Sequence, residues 1–328
     1  MKILYAVQAT GNGHISRAHQ LFPYLNELGE VDIMLSGSNA TLAIDLPIKY
    51  RSKGLSLFYS QCGGLDYLRT WREVNIGKVL KDAKELPVDK YDLIINDFDF
   101  VTARACKLKN KNSIQFGHQA SFMSQKTPRP TKRNIFGEFI LSHYARATDY
   151  VGLHFDRYDE FIFPPIVKKE IIDAQPKNHG HITVYLPAYQ QDCISKILKS
   201  IAPIEVHWFL PEVVVPYKTD NIHYFPVNQK YFNESLIYCL GLLTGGGFET
   251  PAEALYLNKK LMTIPIEGQY EQQCNAEALA RYGVSKIAEL NDKTKNIFLN
   301  WIYENKPLKA IEANDIPSTI QYLLSRSN

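Results

Sequence analysis

The chain has 328 residues, enough for about two domains of ~150 residues each. A hydrophobic share of 45% and a charged share of 22% describe an ordinary soluble globular protein, with no apolar run of about eighteen residues to span a membrane. The net charge of +3 is too small for a nucleic-acid binder, whose Lys and Arg cluster along one face.

The five cysteines, Cys62, Cys106, Cys193, Cys239 and Cys274, are scattered and form no CxxC pair. Free thiols in a reducing cytoplasm are expected. The opening stretch MKILYAVQATG reads as a buried first strand rather than a signal peptide.

Short apolar runs alternate with helical patterns along the chain, as in a βαβ series with a mainly parallel sheet. Strands are predicted at Ile3–Val7, Val31–Leu35, Leu55–Tyr59, Leu93–Asn96 and Ser113–Phe116. Between the first two, Ile15, Ala18, Leu21, Phe22, Leu25 and Leu28 recur at helical spacing, and Gly29 supplies the stop. Pro164, Pro165, Pro176, Asn178 and Gly180 mark a linker, which divides the chain into residues 1–164 and 165–328. A second series follows at Ile182–Leu186, Val206–Leu210, Ile222–Phe225, Leu240–Leu243 and Leu261–Ile264, and Ile316–Leu324 reads as a final helix with room to pack back on the first domain. The expected fold is α/β, with two Rossmann-like doubly wound domains facing across a cleft. Ligands of open α/β sheets bind outside the carboxyl ends of the strands, so the function is sought there.

Thr10-Gly11-Asn12-Gly13-His14 follows the first strand. A dinucleotide-binding loop would need glycine where Ser16 stands and an acid after the second strand, which closes on Leu35-Ser36. An unperturbed histidine titrates at about 6.5, so His14 is a candidate general base, or else it caps a helix or meets solvent. Asp97 ends the strand Leu93–Asn96 and could orient that imidazole, or cap the next helix. Asp97-Phe98-Asp99 imitates a short metal motif, and His179-Gly180-His181 stands without further ligands in the linker, so no metal site is expected. Gly117-His118-Gln119 follows a strand and should border the cleft.

Gly245, Gly246 and Gly247 follow Leu240–Leu243 directly, where glycine lets backbone N–H groups approach an anion. Thr250 is the expected N-cap of the next helix, with Pro251 at its first position and Glu253 at its third. The positive end of the helix suits a phosphate, while Thr250-x-x-Glu253 also has the form of a self-contained capping box. Lys260, the strand Leu261–Ile264 and Pro265 lead into a polar loop, Glu267–Asn275, that carries Glu271, Gln272, Gln273 and Asn275.

Gly247, Thr250, Glu253, Pro265, Glu271-Gln272 and Asn275-Ala276 together resemble the donor signature of the GT-B glycosyltransferases. The likeness is to the UDP-glycosyltransferases and the bacterial lipid-linked N-acetylglucosaminyltransferase of peptidoglycan synthesis. It implies that Gly245–Gly247 and Thr250 hold a diphosphate, Glu253 the ribose hydroxyls, and Glu271 with Gln272 the transferred sugar. The Gly13-His14 pair matches the loop that carries the family's base, and Asp97 its orienting carboxylate. Gly13 then borders the donor. His118, beside the cleft, is a candidate acceptor contact or simply a helix-start residue. Departures are Gly245 where plant-type enzymes carry His, Glu249 where they carry Asn, and Glu271 for Asp.

The resemblance implies an inverting, metal-independent transfer from a nucleotide-sugar co-substrate, probed first as UDP-sugar, to a hydroxyl acceptor, with no other cofactor. A nucleotide-sugar 2-epimerase of the same fold and a non-catalytic nucleotide-sugar binder are the alternatives. Lys126, Arg129, Lys132 and Arg133 beside Phe136, Phe139 and Ile140 could rest on anionic lipid at the inner face of a membrane, or form a solvated loop.

Overall fold

The structure, a computed structural model, describes residues 1–37, 44–55, 75–189, 191–287, 294–304 and 306–327. Two seven-stranded sheets organise it. The first holds β1 (Lys2–Gln8), β2 (Glu30–Ser36), β3 (Ile48–Ser52), β4 (Leu93–Asp97), β5 (Ile114–Gly117), β6 (Asp149–Leu153) and β7 (Ile162–Phe163). Their order is β3-β2-β1-β4-β5-β6-β7, all parallel. The second holds β8 (Ile182–Tyr185), β9 (Val206–Leu210), β10 (Tyr217–Thr219), β11 (Ile222–Pro226), β12 (Gly241–Thr244), β13 (Lys260–Thr263) and β14 (Ser285–Lys286). Its order is β10-β11-β9-β8-β12-β13-β14, with only β10 antiparallel to its neighbour.

In the first half the helices are α1 (Asn12–Leu28), α2 (Ile76–Glu85), α3 (Phe100–Lys109) and α4 (Ile135–His143). After them come α5 (Lys169–Ile172), α6 (Gln191–Lys199), α7 (Gln229–Tyr238), α8 (Glu249–Tyr256), α9 (Tyr270–Ala280), α10 (Thr294–Tyr303) and α11 (Ile316–Ser325). Both sheets are Rossmann-like, as the sequence pattern implied.

Burial explains which strands were legible. In β1, Ile3, Leu4, Tyr5, Ala6 and Val7 are fully buried, because helices cover both faces of a central parallel strand. Such a strand reads as an unbroken apolar run. β3 alternates partly buried and exposed residues at a sheet edge, so its IKYRS sequence carried no such signal. β6 starts with Asp149 and Tyr150, β10 is exposed throughout, and β7 and β14 have two residues each; none was expected. The strand expected at Leu55–Tyr59 lies outside the described residues from residue 56 on.

Two expectations change near the glycine turn. The polar loop from Glu267 is short, because Tyr270 opens α9, and Glu271, Gln272, Gln273 and Asn275 project from helix. Buried Tyr270, Cys274, Ala278 and Leu279 recur at helical spacing among the amides and supply the driving force. α8 starts at Glu249, with Phe248 at the cap position and no side-chain cap bond, so Thr250 is a first-turn residue rather than the N-cap.

In each sheet the strand order reverses beside the first strand, between β1 and β4 and between β8 and β12. A crevice opens at such a point because the connections on either side leave in opposite directions. The two crevices face each other across the interdomain cleft. α11 crosses back to the first domain: Tyr322 packs on Phe163 and Arg326 pairs with Asp149 at 3.0 Å. Among the described residues, no helix is long and apolar enough to cross a membrane. Cys106, Cys239 and Cys274 are free and buried.

Candidate functional site

β1 and β4 lie side by side with Val7 opposite Asp97, so the loop leaving β1 passes over the end of β4. His14, in the first turn of α1, thereby meets Asp97, with Nδ1 2.9 Å from Oδ1. Donation from Nδ1–H to the carboxylate leaves Nε2 free for the cleft. Arg17, one turn further along α1, grips the same carboxylate, with Nη2 2.7 Å from Oδ1 and Nε 3.1 Å from Oδ2. Its Nη1 donates to Glu249, the first residue of α8 in the other domain. Gly13 lies directly under that Glu249 carboxylate, which a Cβ there would displace.

These charges set one another. Burial works against the protonated His14, but the Asp97 carboxylate and its hydrogen bond outweigh it, holding the imidazole pKa above its ordinary value. Arg17 opposes that rise and Glu249 adds to it. Burial would raise Asp97, yet Arg17 and His14 hold its carboxyl below the usual aspartate range. Asp99 belongs to different chemistry: its carboxylate accepts from Val101 and Thr102 N–H at 3.2 and 2.7 Å, capping α3. Among the described residues, no group of three or more His, Cys, Asp or Glu could hold a metal ion.

Across the cleft from His14, the glycine turn links β12 to α8. None of Gly245, Gly246 and Gly247 has positive φ, so what they supply is room. Gly246 lies flat on α9, where a Cβ would come within 2.7 Å of the Gln272 Cβ and carbonyl oxygen. The Gln272 side-chain oxygen accepts from Gly246 N–H and Ile266 N–H, each at 3.0 Å, and Asn275 Nδ2–H donates to the Gly246 carbonyl at 2.9 Å. α9 therefore clamps the turn, and of the first turn of α8 the Glu249 and Thr250 N–H groups lie beside the cleft, since Pro251 has none and Ala252 N–H is accepted by the Phe248 carbonyl at 3.1 Å.

Glu253 has a partner that local spacing could not reveal. Its carboxylate lies 3.1 Å from Lys168 Nζ, which also donates to Asn233 Oδ1 at 2.7 Å. The capping-box alternative, with Glu253 satisfying the Thr250 amide, gives way to this buried ion pair. Burial raises the Glu253 pKa, and Lys168 offsets only part of the rise.

Further contacts tie the halves together. Gln119 Nε2–H donates to Glu271 at 3.0 Å, and Asn12 Nδ2–H donates to the Tyr185 hydroxyl at 2.9 Å. His118 stacks on Phe248 with ring centroids 4.0 Å apart. Its Nε2 faces Asn275 Oδ1 at 2.7 Å and its Nδ1 the Leu153 carbonyl at 3.1 Å, so both ring nitrogens are engaged by protein.

One cleft of about 510 Å³ gathers these groups, a size suited to a small-molecule ligand. Gly13, His14, His118, Gly245, Gly247, Thr250, Glu253, Glu271 and Gln272 all line it, while Asp97 and Gly246 stand behind the wall. Tyr189, Pro211 and Val227 form an apolar end on the second domain. The sequence reading missed Arg17 and Lys168 and noticed Glu249 only as a departure. The three-residue spacing of His14 and Arg17 along α1 was a usable signal, since such residues share a helix face; nothing local marked Lys168.

The family model described as Glycosyl transferase family 1 matches residues 1–304. No curated protein matches the chain. Among solved structures, MurG of Acinetobacter baumannii is similar with TM-score 0.58 at 12% identity, over 99% of both chains. UGT89C1 of Arabidopsis thaliana, complexed with UDP, gives TM-score 0.58 at 12% identity over 99% of this chain and 93% of its own. LpCGTa in complex with UDP gives 0.62 at 13% over 100% and 99%. At such identities these neighbours speak for the fold, which is GT-B. With the family model covering nearly the whole length, the chain belongs to glycosyl transferase family 1 and is a glycosyltransferase.

Proposed function

We propose that the protein moves a sugar from a nucleoside-diphosphate sugar, with UDP as its nucleotide, to a hydroxyl acceptor, with inversion and without a metal. One observation carries this reading: His14, its Nδ1 held by Asp97, shares a cleft with the glycine turn and the open N-terminus of α8. Two of the neighbouring structures contain UDP, which supports the choice of nucleotide.

In this reading the acceptor hydroxyl gives its proton to His14 Nε2. The acceptor oxygen attacks the anomeric carbon from the face opposite the diphosphate. The bond to the leaving phosphate oxygen breaks, its electron pair departs with the nucleoside diphosphate, and the anomeric centre inverts. N–H groups of Gly245, Gly247 and the first turn of α8, with the Thr250 hydroxyl, receive the developing charge; one preorganised donor is worth ~3 kcal/mol of barrier. Glu253, steadied by Lys168, takes the ribose hydroxyls. Glu271 and the Gln272 amide nitrogen take the sugar, Gly13 leaves room beside it, and the acceptor lies along the wall that includes His118.

The test is calorimetric titration with UDP and UDP-sugars in EDTA, followed by NMR of the product anomer. UDP binding that needs added magnesium, or retained configuration, would overturn the reading. Turnover of UDP-sugar without acceptor would favour a 2-epimerase, and binding without turnover a sensor.

For location, we propose contact with the inner face of an anionic membrane through the start of α4. Ile135, Phe136 and Phe139 are 87%, 66% and 57% exposed, beside exposed Lys132 and Arg133. Arg129 does not belong to this patch: it is tied to Glu138 at 2.9 Å and to the Thr127 and Phe122 carbonyls.

A further inference from the structure

His14 is faced by charge from three elements: Asp97 at the end of β4, Arg17 on its own helix, and Glu249 at the start of α8. The Tyr5 hydroxyl of β1 lies near the same charges, and burial keeps it a neutral phenol. Arg17 and Asp97 side chains are 1% and 0% exposed, so water does little to screen them, while Glu249 is 19% exposed.

A buried guanidinium on Asp97 is at first sight a poor choice. It cancels the carboxylate that should strengthen the base, and a histidine beside a neutralised aspartate holds a proton weakly. Glu249 restores the balance. Asp97, Arg17 and Glu249 carry −1, +1 and −1, which leaves the imidazole facing a net −1, as a lone His–Asp pair would. The difference is that one of the three charges belongs to the other domain. Were the halves to part, Glu249 would leave with α8, and the imidazole would face a net charge of zero.

We propose that Arg17 and Glu249 are positioning residues that complete the His14–Asp97 base across the cleft, so that the base reaches full strength only while the two domains are closed. This rests on His14 being the base of the proposed transfer. Proton abstraction is then coupled to assembly of the donor site, because the residue that strengthens the base also opens the helix facing the diphosphate. An open cleft would hold a weak base and waste little donor on water.

The experiment is an NMR pH titration of the full chain with ring-labelled histidine, the His14 signal being assigned from H14A. Glu249→Gln is nearly isosteric and removes the outer negative charge, so the His14 midpoint moves to lower pH. Arg17→Met removes the positive charge, and the midpoint moves to higher pH. Arg17→Lys keeps the charge and stays nearer the wild-type midpoint than Arg17→Met does. A pair that merely holds the domains together would lower thermal stability without moving the midpoint in opposite directions. An unmoved midpoint in Glu249→Gln overturns the proposal, as does movement of both variants in one direction. If Arg17→Met does not fold, Glu249→Gln decides alone. The titration uses neither donor nor acceptor, so its failure is distinguishable from failure of the chain to bind UDP.

Discussion

The His14 imidazole stands between a buried carboxylate and an open cleft, and that placing fixes two opposite pH dependences. As the proposed base it must be neutral to work, and its folded pKa lies above the ordinary value of 6.5. The rate should therefore fall as pH drops through a midpoint higher than that of a free histidine. Its contribution to stability has the other sign: a raised histidine pKa stabilises fully below the unfolded midpoint and is lost as pH rises through the folded one. Asp97, depressed below 3.8, stabilises above that value and loses its contribution as pH falls through the lower one. His14→Ala should reduce kcat by about 10²- to 10⁴-fold with UDP affinity nearly unchanged, as measured by steady-state kinetics and calorimetry. Glu253→Ala should weaken UDP binding and also strand the buried Lys168 cation, costing about 3 kcal/mol in denaturant unfolding. Unchanged stability would mean that water reaches Lys168 and that the ion pair matters little.

Elements decide how those residues are presented. The glycine turn works because α9 lies under it, and the spacing leaves no room for a methyl group. Gly246→Ala, whose Cβ would meet the Gln272 backbone at 2.7 Å, should abolish UDP binding and lower Tm, whereas Gly247→Ala, with no protein atom near its Cβ, should leave Tm unchanged. The segment around α9 also shows why sequence was misread here. Glu271, Gln272, Gln273 and Asn275 look like loop by composition, yet Tyr270, Cys274 and Ala278 place an apolar stripe beneath them. At α4 the exposed apolar start is a prediction of its own. Sedimentation with anionic vesicles should pull the wild type down more than Phe136→Ser/Phe139→Ser, and equal recovery would remove the membrane from the proposal.

At the scale of the molecule, the site exists only because two similar sheets bring their switch points face to face. A ligand that bridges them favours the closed, folded state, so UDP at a hundred times its Kd should add ~2.7 kcal/mol to stability, read as a rise in Tm in the presence of EDTA. No rise at saturating UDP would contradict the proposed nucleotide. The sequence by itself determined the central strands, the glycine turn and the cleft location. Their signals are local: continuous apolar runs, glycines next to strand ends, and a histidine in the first turn of a helix. It also offered His14 and Asp97 as partners, because each ends or follows a strand, and strand ends converge in a parallel sheet. Only the tertiary structure decided which charges surround them. Arg17 reaches Asp97 and Glu249, which lie 80 and 232 residues away along the chain, and Lys168 reaches Glu253 from the linker. Such pairings depend on how two domains close, and the energy of a buried charge is set by whatever neighbour that closure supplies rather than by the residues beside it in sequence.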